Sequence, residues 1–113
     1  MDIKTLVQES HATATEKGWW DKPDRNIPEL LALIHSEVSE ALEAYRETGI
    51  FQLDKVWHEK PDNKPEGFIV ELADVLIRIA DLCGEFDLDI ESALIEKMEF
   101  NKTRPYRHGN KVV

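Results

Sequence analysis

A chain of 113 residues and 13.0 kDa accommodates one domain around one core, residues 1–113, and is too short for two ordinary domains. Hydrophobic residues make up 42% and charged residues 33%, too apolar for a disordered chain and more charged than the roughly 25% of a typical globular domain. A net charge of -9 argues against a nucleic-acid polymer or an anionic membrane surface as partner, because both need a basic face.

The first helix is expected over about residues 2–17, ending at Gly18, where a C-terminal glycine is favoured. Trp19 and Trp20 open a loop in which Pro23 blocks helix continuation. Asn26 has the chemistry of an N-cap and Pro28 that of a first-turn proline, so a second helix is expected from Glu29 to Glu47, closed by Thr48-Gly49. Along it Leu30, Leu31, Ile34, Val38, Ala41, Leu42 and Tyr45 recur at steps of three and four, an apolar stripe roughly 120° wide. Residues 50–59 read as a short helix or packed loop, and 60–67 as a polar, proline-punctuated and mobile connection. No strand-like alternation is recognised, so the expected fold class is all-α, a bundle of four to five helices.

A third helix is expected from Phe68 to about Phe86, with apolar residues over roughly 220° of its circumference. So wide an arc needs neighbours on several sides, and a second subunit is expected to bury part of it, which makes the protein a homo-oligomer. A last helix over about 89–103, capped by Asp87 or Asp89, ends before Pro105. From Lys97 onward five cations face Glu99 alone, a local +4 that leaves the first 96 residues at -13 out of the total of -9. The result is an acidic body with a basic tail, about residues 104–113.

The lone cysteine, Cys83, excludes an internal disulfide and reads as core. No run approaches the ~18 apolar residues of a membrane span, and no secretory leader is recognised at Met1-Asp2-Ile3-Lys4. The expected location is the cytoplasm.

Two motifs exceed what a simple bundle requires: Glu37-x-x-Glu40 on the second helix and Glu71-x-x-Asp74 on the third. Spacing of i, i+3 brings both carboxylates of a pair to one side of a helix. On the third helix Glu71, Asp74, Arg78 and Asp81 occupy the narrow polar strip of an otherwise apolar cylinder, which sets charge against the core. Four gathered carboxylates repel one another or take up protons unless a cation compensates them. All-oxygen ligation suits Mg²⁺, with Mn²⁺ as a substitute, and the absence of Glu-x-x-His argues against a di-iron bundle. The competing reading is that both pairs are ordinary solvated helix faces.

The order of these two motifs, followed by Asn101-Lys102-Thr103-Arg104-Pro105-Tyr106-Arg107-His108-Gly109, resembles the MazG-like all-α nucleoside triphosphate pyrophosphohydrolases, in particular their short single-domain phage and bacterial forms. The resemblance spans about Gly18 to Lys111. It implies Mg²⁺ held by Glu37, Glu40, Glu71 and Asp74, and hydrolysis of a nucleoside triphosphate to monophosphate and pyrophosphate by in-line attack of an activated water on the α-phosphorus. It also implies assembly as a homodimer or homotetramer. Glu37, at the apolar border, is the first choice of general base and Glu71 the second. Lys97, Asn101, Lys102, Arg104, Tyr106 and Arg107 are the candidates for the phosphates. Trp19 and Trp20 are those for stacking on the base, with core packing the equal alternative for either, Trp57 is another, and Asn26 is the candidate for a base edge. His11, on the first helix, either faces the same pocket or, as the preferred reading, is a surface histidine. Two other functions compete with this one: a catalytically silent helical dimer acting as a binding or regulatory module, and a phosphohydrolase of other substrates.

Overall fold

A computed structural model describes residues 1–113. The chain is mostly helical: α1 (Ile3–Glu16), α2 (Ile27–Thr48), a 3-10 turn (Ile50–Gln52), a hairpin of β1 (Trp57–Glu59) and β2 (Lys64–Glu66), α3 (Phe68–Glu85), α4 (Ile90–Thr103) and a terminal turn, α5 (Arg107–Asn110). No helix is long and apolar enough to cross a membrane.

The helix ends follow from side-chain chemistry. Asp2 accepts from the Thr5 backbone N–H at 2.7 Å, Asn26 from that of Glu29 at 2.9 Å and Asp89 from that of Ser92 at 3.0 Å, so each of the three long caps satisfies a donor that the helix cannot. Helix α2 starts two residues before Glu29 because Asn26, as cap, leaves Ile27 and Pro28 in its first turn. Left-handed Gly49 closes α2, and its N–H returns to the Tyr45 carbonyl at 2.8 Å.

The expectation of no strands is corrected by the hairpin, and the segment expected to be a mobile connection is folded into it. β1 and β2 pair antiparallel with Trp57 opposite Glu66 and Glu59 opposite Lys64. Each strand has only three residues, and β2 contains a proline, so neither carries enough alternation to register as a strand. Gly67 joins the hairpin to α3 at φ +139°, where a Cβ would collide with the Lys55 carbonyl oxygen.

Helix α3 is the hub, packed against α2 on one side and α1 on another. The α1–α3 contact depends on Gly84: a Cβ there would lie 2.6 Å from the Cβ of His11. Gly84→Ala should therefore push the two helices apart and destabilise the chain by about 1–3 kcal/mol, which urea denaturation at fixed protein concentration would register as a lower midpoint. Helix α4 makes its main tertiary contact with α1 and leaves Ile95, Met98 and Phe100 exposed.

Only seven residues are buried, none of them a large side chain out of reach of solvent. Two of the seven are the carboxylates Glu37 and Glu71. A fold with so small a core does not enclose two acids for packing, so their placement requires a chemical reason.

Candidate metal centre and cleft

Helices α2 and α3 bring the two acidic motifs together. One carboxylate oxygen from each of Glu37, Glu71 and Asp74 lies within 4.8 Å of the others. Glu37 and Glu71 are each 8% exposed, Asp74 is half-buried, and Glu40 is exposed beside them. The i, i+3 spacing on each helix therefore yields one cluster with a buried floor and an open edge.

Its electrostatics are unbalanced. Burial pushes the Glu71 carboxyl up to about 7, assisted by hydrogen bonding with Glu40 and by the charges of Glu40, Asp74 and Glu37. Asp74 is also raised, by burial first and then by Glu37, while Arg78 works against the rise. One buried oxygen, Glu71 Oε2, has no hydrogen-bond partner. A buried acceptor without a donor is costly in a native protein, and a cation is a partner that relieves both the vacant lone pairs and the repulsion. With oxygen donors only, the set fits a hard divalent ion such as Mg²⁺ or Mn²⁺, for which Glu37, Glu71 and Asp74 could be ligands and Glu40 a fourth.

Two cations flank the acids. Arg78 Nε donates to Glu37 Oε1 at 2.7 Å. Lys64, on the hairpin, pairs with Glu66 at 3.2 Å, and its ammonium is raised by Glu66 first and then by Glu71 and Glu40. The acids open into a cleft of about 880 Å³ between α1, α2 and α3, within the range of small-molecule sites. Trp19, Arg25, Lys64 and Arg78 line it together with the four acids.

The paired tryptophans separate. Trp19 faces the cleft and is 65% exposed, an open aromatic surface. Trp20 turns to α3, where its Nε1 donates to Asp81 Oδ1 at 2.8 Å and its ring meets His11 and Phe86 edge to face. His11 is not a free surface residue: its Nδ1 lies 2.9 Å from the same Asp81 oxygen. Arg25 stacks over Trp20 at 4.3 Å and donates to the Trp19 carbonyl, so it braces the loop beside the cleft. Trp57 bonds Glu59 within the hairpin, and Asn26 spends its side-chain oxygen on the α2 cap.

The basic end of the chain does not line this cleft. Lys97 and Arg104 lie over the Phe100 ring, Lys102 pairs with Glu99, and Arg107 donates to the Val112 carbonyl. Asn101 and Tyr106 are exposed. Helix α4 rests on α1, which carries these residues away from the α2–α3 face within one chain.

No family model, curated protein or solved structure matches the chain. The site must therefore be read from its own chemistry. Arg25, Lys64 and Arg78 were not among the expected site residues. Arg78 follows Asp74 by four positions and Glu71 by seven, so its place on the acidic face was visible in the spacing. Lys64 reaches the cleft only through the unrecognised hairpin.

Proposed function

We propose that the protein is a Mg²⁺-dependent pyrophosphohydrolase of nucleoside triphosphates, releasing the monophosphate and pyrophosphate. The observation that carries this reading is the buried Glu71 carboxylate, without a partner at Oε2, inside an all-oxygen cluster at the wall of a nucleotide-sized cleft. The order of the Glu37-x-x-Glu40 and Glu71-x-x-Asp74 motifs and the resemblance they carry supply the substrate class.

Divalent ions held there would supply the positive charge that lets a polyanion approach four carboxylates, and would acidify water at the site. The chain's own groups have distinct tasks. Arg25, Lys64 and Arg78 give the cleft positive charge for the phosphates, and Trp19 offers its face to the base. A water attacks the α-phosphorus, the bond to the β-phosphate bridging oxygen breaks, pyrophosphate leaves, and the water's proton passes to a carboxylate. The two carboxylates expected to take that proton, Glu37 and Glu71, both lie at the buried floor of the cluster.

The assembly belongs to the same proposal. A second copy of the chain covers the exposed apolar faces of α2 and α3, and the basic residues from Lys97 to Arg107 contribute to phosphate binding from that second copy.

The test is incubation with each common ribo- and deoxyribonucleoside triphosphate, with Mg²⁺ or with EDTA, and identification of products. Monophosphate plus pyrophosphate, lost in EDTA, is the expected result. Stepwise orthophosphate would assign a different phosphohydrolase, and no turnover of any nucleotide would favour the silent helical module.

A further inference from the structure

We propose that Arg78 is a built-in counter-ion for the acidic site, displaced from Glu37 when a divalent ion loads, and that this displacement couples metal binding to nucleotide binding. The inference rests on the metal-site reading above. Its structural basis is the short Arg78–Glu37 pair: the donor–acceptor distance is 2.7 Å, with the Glu37 side chain 10% exposed and that of Arg78 38% exposed. A charge-assisted bond to a nearly buried carboxylate is a strong one. The guanidinium also opposes the rise of Asp74, so its field acts on two of the three clustered acids. It leaves Glu71 Oε2 without a partner, which is the sign of a stand-in that neutralises part of the site without filling it.

A divalent ion coordinated by Glu37 and a guanidinium bonded to Glu37 repel each other at close range in a poorly screened site. The mobile partner is Arg78, whose side chain is partly exposed and lines the cleft, whereas Glu37 is held in the helix interface. Leaving Glu37, the guanidinium remains beside the cleft with its donors free. An anion there, such as a triphosphate, offers replacement acceptors of the geometry that arginine binds bidentately. Arg78 therefore resists metal in the absence of nucleotide and ceases to resist once phosphate is present. By linkage, each ligand then strengthens the other.

The test is calorimetric titration of the full chain with Mn²⁺, alone and with a non-hydrolysable α,β-imido nucleoside triphosphate, for wild type, Arg78→Gln and Arg78→Lys. Arg78→Gln should bind Mn²⁺ alone about 10-fold more tightly, and the analogue should enhance Mn²⁺ affinity in wild type but far less in the variant. Arg78→Lys, which keeps the charge, should stay close to wild type for Mn²⁺ alone. The ion-free Arg78→Gln protein should melt at a lower temperature than wild type, and Mn²⁺ should restore it. Equal or weaker Mn²⁺ binding by a folded Arg78→Gln would overturn the counter-ion role and leave the metal site standing. Absence of Mn²⁺ binding in wild type would overturn both.

Discussion

The Glu71→Gln protein should be more stable than wild type at pH 8 without divalent ions, and should lose at least about 100-fold in turnover when Mg²⁺ is supplied. Both effects have one cause. The folded-state pKa of Glu71 lies near 7, against 4.5 for the unperturbed carboxyl, so between these two pH values the folded chain holds a proton that the unfolded chain has released, and at pH 8 it must bury the charge. Stability from this group is fully present below about pH 4.5 and is lost as pH rises through 7. The shift corresponds to at most about 3 kcal/mol. Asp74, also raised by burial, adds to the loss in the same direction. Glutamine has the same shape and no charge, so it removes most of this penalty and flattens the pH profile, with Asp74 leaving a residual slope.

In the proposed metal site a cation would take the place of the missing proton. Mg²⁺ should therefore stabilise wild type at pH 8 in proportion to the logarithm of its concentration over its dissociation constant, and should leave Glu71→Gln nearly unmoved. Urea midpoints from pH 5 to 8, with and without Mg²⁺, check the whole pattern. A variant less stable than wild type at pH 8 in EDTA would mean that Glu71 is satisfied as it stands and has no need of an ion.

How far the sequence announces this site depends on the range of each interaction. The two acidic motifs are local, each fixed by a helix whose stripe and caps are plain in the spacing, and their facing one another follows once α2 and α3 pack. Asp81 is different. It gathers Trp20 and His11 from 61 and 70 residues away, and no local pattern links those three positions. Trp19 and Trp20 are equivalent in the sequence and part only because the turn after Gly18 sends one to the cleft and the other to α3. The hairpin escapes for a thermodynamic reason: two strands of three residues gain little from their own side chains and depend on the packing around Gly67. Lys64, on β2, reaches the cleft only through that hairpin. The direction of the basic tail depends on where α4 docks, and the weak amphipathic signal of that helix left its docking face unspecified.

If the proposed assembly forms through the exposed faces of α2 and α3, Leu42→Lys should leave a monomer that still folds. The solvent-accessible surface of the single chain is 8872 Å², whereas a compact monomer of this mass exposes roughly 6,300 Å². Its radius of gyration is 16.8 Å, against about 13 Å for a compact chain of this length. The surplus of roughly 2,500 Å² per chain is of the size that an obligate interface removes. Large apolar side chains are among the exposed residues. Leu31, Val38, Leu42 and Tyr45 form one exposed stripe along α2, and Ile69, Leu72 and Leu76 form another on α3. The α3 stripe becomes buried further along at Ala80 and Cys83, near where Gly84 admits α1. The same face is thus core at one end of α3 and bare at the other, as expected if a second copy of the chain completes it. Leu42 is 55% exposed within one chain, so lysine there scarcely disturbs the folded monomer, while in the proposed assembly it would remove a leucine from the interface and insert a charge. Burying the exposed half of the leucine is worth about 1 kcal/mol per copy, or about 2 kcal/mol for the two copies of a symmetric pair, so its loss weakens association by at least about 10-fold. Sedimentation should show wild type at twice the 13.0 kDa of the chain or a higher multiple, and Leu42→Lys near the chain mass with its helical circular dichroism retained. A wild-type monomer, or a variant with unchanged mass, would mean that these stripes are not where copies meet.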